Sequence, residues 1–81
     1  MIQFDYAQAE PSGGGWEVYV GLRFQDEPDE LYVARVRLSA DGAVLAADLL
    51  FNGMDCRYEW RPGERDAVLQ YVKEQHPELL P

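Results

Sequence analysis

The sequence predicts an α+β fold: a curved, five-stranded antiparallel β-meander with one C-terminal α-helix packed on its apolar face. Three observations predict it. Apolar residues alternate with polar ones through most of the chain, the period of strands buried on one face. Short breaks rich in Gly, Asp, Asn and Pro punctuate that alternation at hairpin spacing. From Pro62 onward the alternation gives way to helical spacing.

The first strand covers about residues 2–7, with Ile2, Phe4 and Tyr6 facing inward. AQAEPSGGG, residues 7–15, follows, and its Pro11 and three successive glycines mark a flexible loop. The second strand, about 16–24, sets Trp16, Val18, Val20, Leu22 and Phe24 on one face and Glu17, Tyr19, Gly21 and Arg23 on the other. QDEPDE, residues 25–30, gathers four acids around Pro28 at a hairpin tip. The third strand, about 31–39, repeats the pattern, with Tyr32, Ala34, Val36 and Leu38 inward and Arg35, Arg37 and Ser39 outward.

Turn chemistry then sets the register, because a slip of one residue would turn every side chain to the wrong face. Asp41-Gly42 suits a two-residue loop, which opposes Leu38 to Leu45, Val36 to Ala47, Ala34 to Leu49 and Tyr32 to Phe51 across a fourth strand at about 43–51. Asn52-Gly53 is the strongest hairpin signal, since both central residues of a type I′ turn need positive φ. It leads to a fifth strand at about 54–60, in which Cys56 opposes Leu49, Tyr58 opposes Ala47 and Trp60 opposes Leu45. On the outer face the same arithmetic puts Asp48 between Arg35 and Arg57.

The helix spans about 62–75, starting at Pro62 with acids in its first turn and carrying Val68, Leu69 and Val72 on one stripe with Tyr71 at its border. His76-Pro77 ends it, and Leu79 and Leu80 form an apolar tail able to fold back on the sheet. One helix is about 10 Å across, whereas five strands make a sheet about 20 Å wide. The sheet must therefore curl around the helix, or a second copy or a partner must cover the strip left bare.

Eighty-one residues make a single domain, 1–81, with enough apolar content, 47%, to fold despite a net charge of −8. A lone cysteine allows no internal disulfide, and no apolar run is long enough to span a membrane, so a cytoplasmic setting is expected. The acidic balance works against nucleic-acid and anionic-membrane binding and favours a protein partner with a basic surface.

Catalytic groups are sparse. Cys56 stands between Asp55 and Arg57, but strand neighbours point to opposite faces, so its thiol is expected to be inward, beside Leu49 and Tyr58, and inert. His76, the only histidine, suits a C-terminal cap of the helix rather than a metal site. GGGW precedes a strand, not the helix N-terminus that would hold a phosphate. No nucleophile–base set can be assembled, so an enzyme is not expected, nor is any cofactor or metal. Two surfaces are left as contact candidates: the tip acids Asp26, Glu27, Asp29 and Glu30, and an outer sheet face bearing Tyr19, Arg23, Arg35, Arg37, Arg57 and Arg61.

In size, acidity and lack of catalytic groups the chain resembles the small proteins with which bacteriophages and mobile elements block host enzymes, anti-CRISPR proteins and DNA mimics among them. That resemblance carries no residues over and implies a non-catalytic, stoichiometric inhibitor. The alternatives are a homo-oligomeric accessory subunit, in the simplest case a homodimer, and a single-stranded nucleic-acid binder that uses the arginine face.

Overall fold

The computed structural model describes residues 2–80. They form an open sheet of five strands in the order β1-β2-β3-β4-β5, each neighbouring pair antiparallel, followed by one helix. The elements are β1 (Ile2–Ser12), β2 (Gly15–Phe24), β3 (Glu27–Leu38), β4 (Val44–Phe51), β5 (Met54–Asp55) and α1 (Glu64–Gln75). This is the expected α+β meander with its C-terminal helix.

The core lies where alternation puts it. Val18, Val20, Leu22, Ala34, Val36 and Leu49 are buried on the inner face, and Val68 and Val72 of α1 are fully buried against them. Each fully buried valine contributes about 1.5–3 kcal/mol by leaving water. The helix lies over β1 and β2, where the Tyr71 ring stacks on Phe4 at 4.5 Å and 9°. Leu79 and Leu80 fold back onto the same core, in a turn whose amides donate to the His76 carbonyl at 3.0 and 3.3 Å. His76 caps α1 with its backbone N–H, which donates to Val72 O at 2.8 Å. Its imidazole was expected at the helix carbonyls, but Nε2 instead donates to Ala7 O of β1 at 3.0 Å and fastens the helix end to the sheet.

Several expectations about the strands are corrected. Residues 7–15 are not a loop, because β1 runs to Ser12 and only Gly13-Gly14 turn, at φ 53° and 84°. Proline is tolerated there because Ser12 and Gly15 form the hydrogen-bonded pair closing the two-residue turn. Pro11, one step further, therefore aims its nitrogen at the open edge. A bulge at Asp5 also reverses the pleat, so Tyr6 faces outward and Ala7 inward. The Tyr6 ring then lies on Gly21 of β2, where a side chain on residue 21 would collide with it.

The β2–β3 tip is tighter than expected, with only Gln25 and Asp26 in the turn. Beyond it Phe24 pairs with Glu27 and Leu22 with Tyr32, so Pro28, Asp29, Glu30 and Leu31 all bulge opposite Arg23 alone. At the next hairpin Ser39 accepts the Ala43 N–H through Oγ at 2.9 Å and contacts the Asp41 carboxylate, giving a three-residue loop closed by Gly42 at φ 91°. Leu38 thus meets Val44 rather than Leu45. A bulge at Leu45, which is 66% exposed, restores the expected register from Arg37–Ala46 onward.

The largest departure is β5. Asn52-Gly53 turns as expected, with φ 53° and 79°, and Phe51 meets Met54. Pairing stops after Asp55, whose carboxylate accepts the Arg57 N–H at 2.8 Å, and Arg57 takes φ 52°. This local turn competes with the ladder and wins. Tyr58 and Trp60 therefore do not pair with β4. They pack against the inner-face core instead, Tyr58 with its ring 5.5 Å from Phe24 of β2 and Trp60 against Ala47 of β4, whereas α1 makes its main contacts with β1 and β2.

Candidate functional site

The crossing segment from Cys56 to Arg61 closes off a pocket at the tip end of the inner face. Phe24 of β2, Tyr32 of β3 and Leu49 and Phe51 of β4 line it, and Tyr58 supplies the wall contributed by the crossing segment. Asp26, Glu27, Cys56 and Arg61 line the mouth of this space of about 280 Å³. The aromatic rings form a continuous chain: Phe51 to Tyr32 at 5.1 Å, Tyr32 to Phe24 at 5.3 Å, Phe24 to Tyr58 at 5.5 Å, and Tyr58 to Trp60 at 5.5 Å.

Polar contacts hold that wall in place. The Tyr58 hydroxyl donates to Glu64 Oε1 at 2.7 Å, and the same oxygen accepts the Arg61 N–H at 2.8 Å. Gly63, at φ 85°, offers no side chain to cap α1, so the helix begins two residues later than expected, at Glu64. Trp60 Nε1 donates to Ala47 O at 3.0 Å. Burial first, and then the hydrogen bond to the Glu64 carboxylate, push the Tyr58 phenol up to about 12. Burial also raises Tyr32, helped by the Glu27 charge, and the Tyr32 hydroxyl lies 3.4 Å from both Glu27 carboxylate oxygens.

Cys56 is beside Leu49 and Tyr58, as the register implies, and its amide donates to Leu49 O at 3.2 Å. The expectation that its thiol is buried is overturned, because the residue is exposed. With β5 ending at Asp55, no strand or helix among the described residues covers that end of the inner face, and Met54 is 73% exposed for the same reason. The thiol lies 3.2 Å from Leu49 O and borders the pocket mouth.

The outer sheet face is partly as expected. Arg23, Arg35 and Arg37 are there, but each faces an acid: Asp5 at 3.2 Å, Asp48 at 3.6 Å and Glu17 at 3.3 Å. Tyr19 donates to Glu17 at 2.9 Å, and that hydrogen bond is the main reason its phenol is raised. Exposed pairs of this kind contribute about 0–1 kcal/mol each. The expected row Arg35–Asp48–Arg57 is cut short because Arg57 lies beyond the end of β5, and Arg61 lines the pocket instead of the outer face. Between the charged pairs runs an apolar row in register across four strands: Tyr6, Gly21, Val33 and Leu50.

The tip acids Asp26, Glu27, Asp29 and Glu30 are all exposed, and among the described residues none has a basic group within salt-bridge distance. Asp26 and Glu27 belong to the pocket mouth, while Asp29 and Glu30 are carried by the β3 bulge. Sequence reasoning did not single out Phe24, Tyr32, Phe51 or Tyr58 as a site, and it assigned Arg61 to the outer face instead. Two signals pointed to it: Tyr32 and Phe51 were opposed by register, and the helix was too narrow for the sheet. Among the described residues no group of three or more His, Cys, Asp or Glu side chains is placed to hold a metal ion. No helix among them is long and apolar enough to cross a membrane. Comparison of the chain with protein-family models, with curated proteins and with solved structures finds no match.

Proposed function

We propose that this chain is a non-catalytic protein-binding module that engages a partner with a basic surface through the β2–β3 tip. It acts by occupying that surface, in the manner of a stoichiometric inhibitor of a host enzyme or complex. The carrying observation is the contrast between two sets of charges. The outer-face arginines Arg23, Arg35 and Arg37 are each matched to an acid, whereas Asp26, Glu27, Asp29 and Glu30 project together with no basic partner among the described residues. Unmatched carboxylates on one tip make the local potential strongly negative, steer encounter with an opposite charge and disfavour acidic partners. The paired arginines, for their part, leave little free positive charge for phosphates.

The test is charge reversal of the tip, Asp26→Lys, Glu27→Lys, Asp29→Lys and Glu30→Lys together. Proteins captured from a lysate of the native host by the wild-type and reversed chains are compared by quantitative mass spectrometry. A basic partner held by the wild type should fall by at least about tenfold with the reversed chain, at an unchanged circular dichroism spectrum. Equal capture by both chains removes the tip from the mechanism.

A further inference from the structure

We propose that the pocket beneath the tip is a receptor for one arginine side chain of the basic partner. This deepens the reading above and rests on it. Pockets that hold small ligands run from about 300 to 1,000 Å³, so a space of about 280 Å³ is at the small end and matches a single long side chain.

The walls supply what a guanidinium needs. All four rings line the space, and adjacent ones are inclined to one another, Phe24 to Tyr32 at 68°, Phe24 to Tyr58 at 41° and Tyr32 to Phe51 at 42°, so they do not form one flat stack. Their centroids are 5.1 to 5.5 Å apart, and a cation is attracted within about 6 Å of a ring centroid, so one occupant reaches more than one ring. The Tyr58 hydroxyl donates to Glu64 at 2.7 Å, and the Tyr32 hydroxyl faces Glu27. A phenol that donates to a carboxylate gains electron density in its ring, which strengthens its attraction for a cation.

The mouth sets the sign of the occupant. Asp26 and Glu27 outweigh Arg61 there, and Glu64 lies beside Asp26 and Arg61 on the adjoining surface. An anionic group meets two carboxylates at the entrance. Arginine fits better than lysine because its planar guanidinium stacks on aromatic faces, sheds water more readily and can be gripped at two points by a carboxylate.

The experiment is an amide NMR titration of the full chain with capped octapeptides of alternating glycine and arginine, glycine and lysine, or glycine and citrulline, the neutral isostere of arginine. The arginine peptide should shift the resonances of Phe24, Tyr32, Phe51 and Tyr58 and bind at least about threefold more tightly than the lysine peptide. The citrulline peptide should bind at least about tenfold more weakly than the arginine peptide. Phe51→Leu, which keeps apolar bulk but removes a ring, should weaken arginine binding about threefold to tenfold and bring it level with lysine. Occupancy should also slow alkylation of Cys56, the only cysteine in the chain, by a neutral thiol reagent. Equal binding of arginine and lysine peptides, with shifts confined to residues 26–30, overturns the pocket proposal and leaves the tip reading standing. Binding of neither peptide, together with host capture that is indifferent to tip reversal, removes both.

Discussion

Replacing Tyr58 by phenylalanine removes a single hydroxyl and tests what holds the crossing segment over the pocket. That hydroxyl donates to a carboxylate that also caps the Arg61 amide, so the bond ties the segment to the start of α1. A hydrogen bond to a charged group contributes about 1.5–3 kcal/mol, and at this half-buried site about 1–1.5 kcal/mol is expected. Proton linkage makes the effect pH-dependent. The phenol is pushed from 10.0 to about 12 in the folded chain, so the folded state holds the proton more tightly than the unfolded chain does. Its contribution is fully present below about pH 10 and is lost as pH rises through about 12. Two pKa units correspond to about 2.7 kcal/mol, which solvent screening reduces to about 1 kcal/mol.

Urea unfolding of wild type and Tyr58→Phe, followed by tryptophan fluorescence at about pH 8 and about pH 11.5, measures both quantities. The gap between the two proteins should be about 1–1.5 kcal/mol at the lower pH and shrink by most of 1 kcal/mol at the higher. In a Glu64→Gln background the Tyr58→Phe cost at the lower pH should fall by about half, because the charged acceptor is gone. A gap that stays the same at both pH values would refute the coupling between this phenol and the Glu64 carboxylate.

Two further outcomes follow from the backbone. Asn52 turns at φ 53°, a conformation asparagine tolerates and alanine does not, so Asn52→Ala should cost about 1 kcal/mol in urea unfolding while Asn52→Gly stays within about 0.5 kcal/mol of wild type. Gly21→Ala drives a methyl into the Tyr6 ring and should cost about 1–3 kcal/mol, part of it recovered in the double variant with Tyr6→Ala; full additivity in thermal unfolding would show that the ring and the glycine are not in contact.

The centre of the sheet was legible because its signals reinforce one another. Ala34–Leu49, Val36–Ala47 and Arg35–Asp48 pair as turn chemistry and alternation both required, even though the loop at residues 40–42 has a different length from the one assumed. The error at Leu38–Val44 is cancelled by the bulge at Leu45, so an incorrect turn still led to a correct register. Bulges were the illegible part. One extra residue is absorbed at Asp5 and one at Leu45, and three at residues 28–31, and only the partner strand reveals where.

The pocket was hidden for a related reason. Met54, Cys56, Tyr58 and Trp60 alternate well enough for a strand, yet the Asp55 carboxylate captures the Arg57 amide and ends the ladder after two residues. A side chain's hydrogen bond to a neighbouring amide leaves no trace in the hydrophobic period. Cys56 thereby passed from interior to rim, and four aromatics assigned only to the core became the lining of an open space.

The same detour settles the fate of the β4 margin. The Leu49 carbonyl accepts the Cys56 amide and the Ala47 carbonyl accepts the Trp60 indole, where a longer β5 would have supplied a full ladder. A sheet extends only where donors and acceptors alternate on the incoming chain, and an indole offers a donor with no acceptor beside it. The tryptophan is thus a terminator as well as a wall: it occupies a hydrogen-bonding position without presenting a new one. Strand-to-strand growth, the hazard of any small open sheet, is opposed along β4 because the Cys56 amide and the Trp60 indole already occupy two of the carbonyls an incoming strand would need.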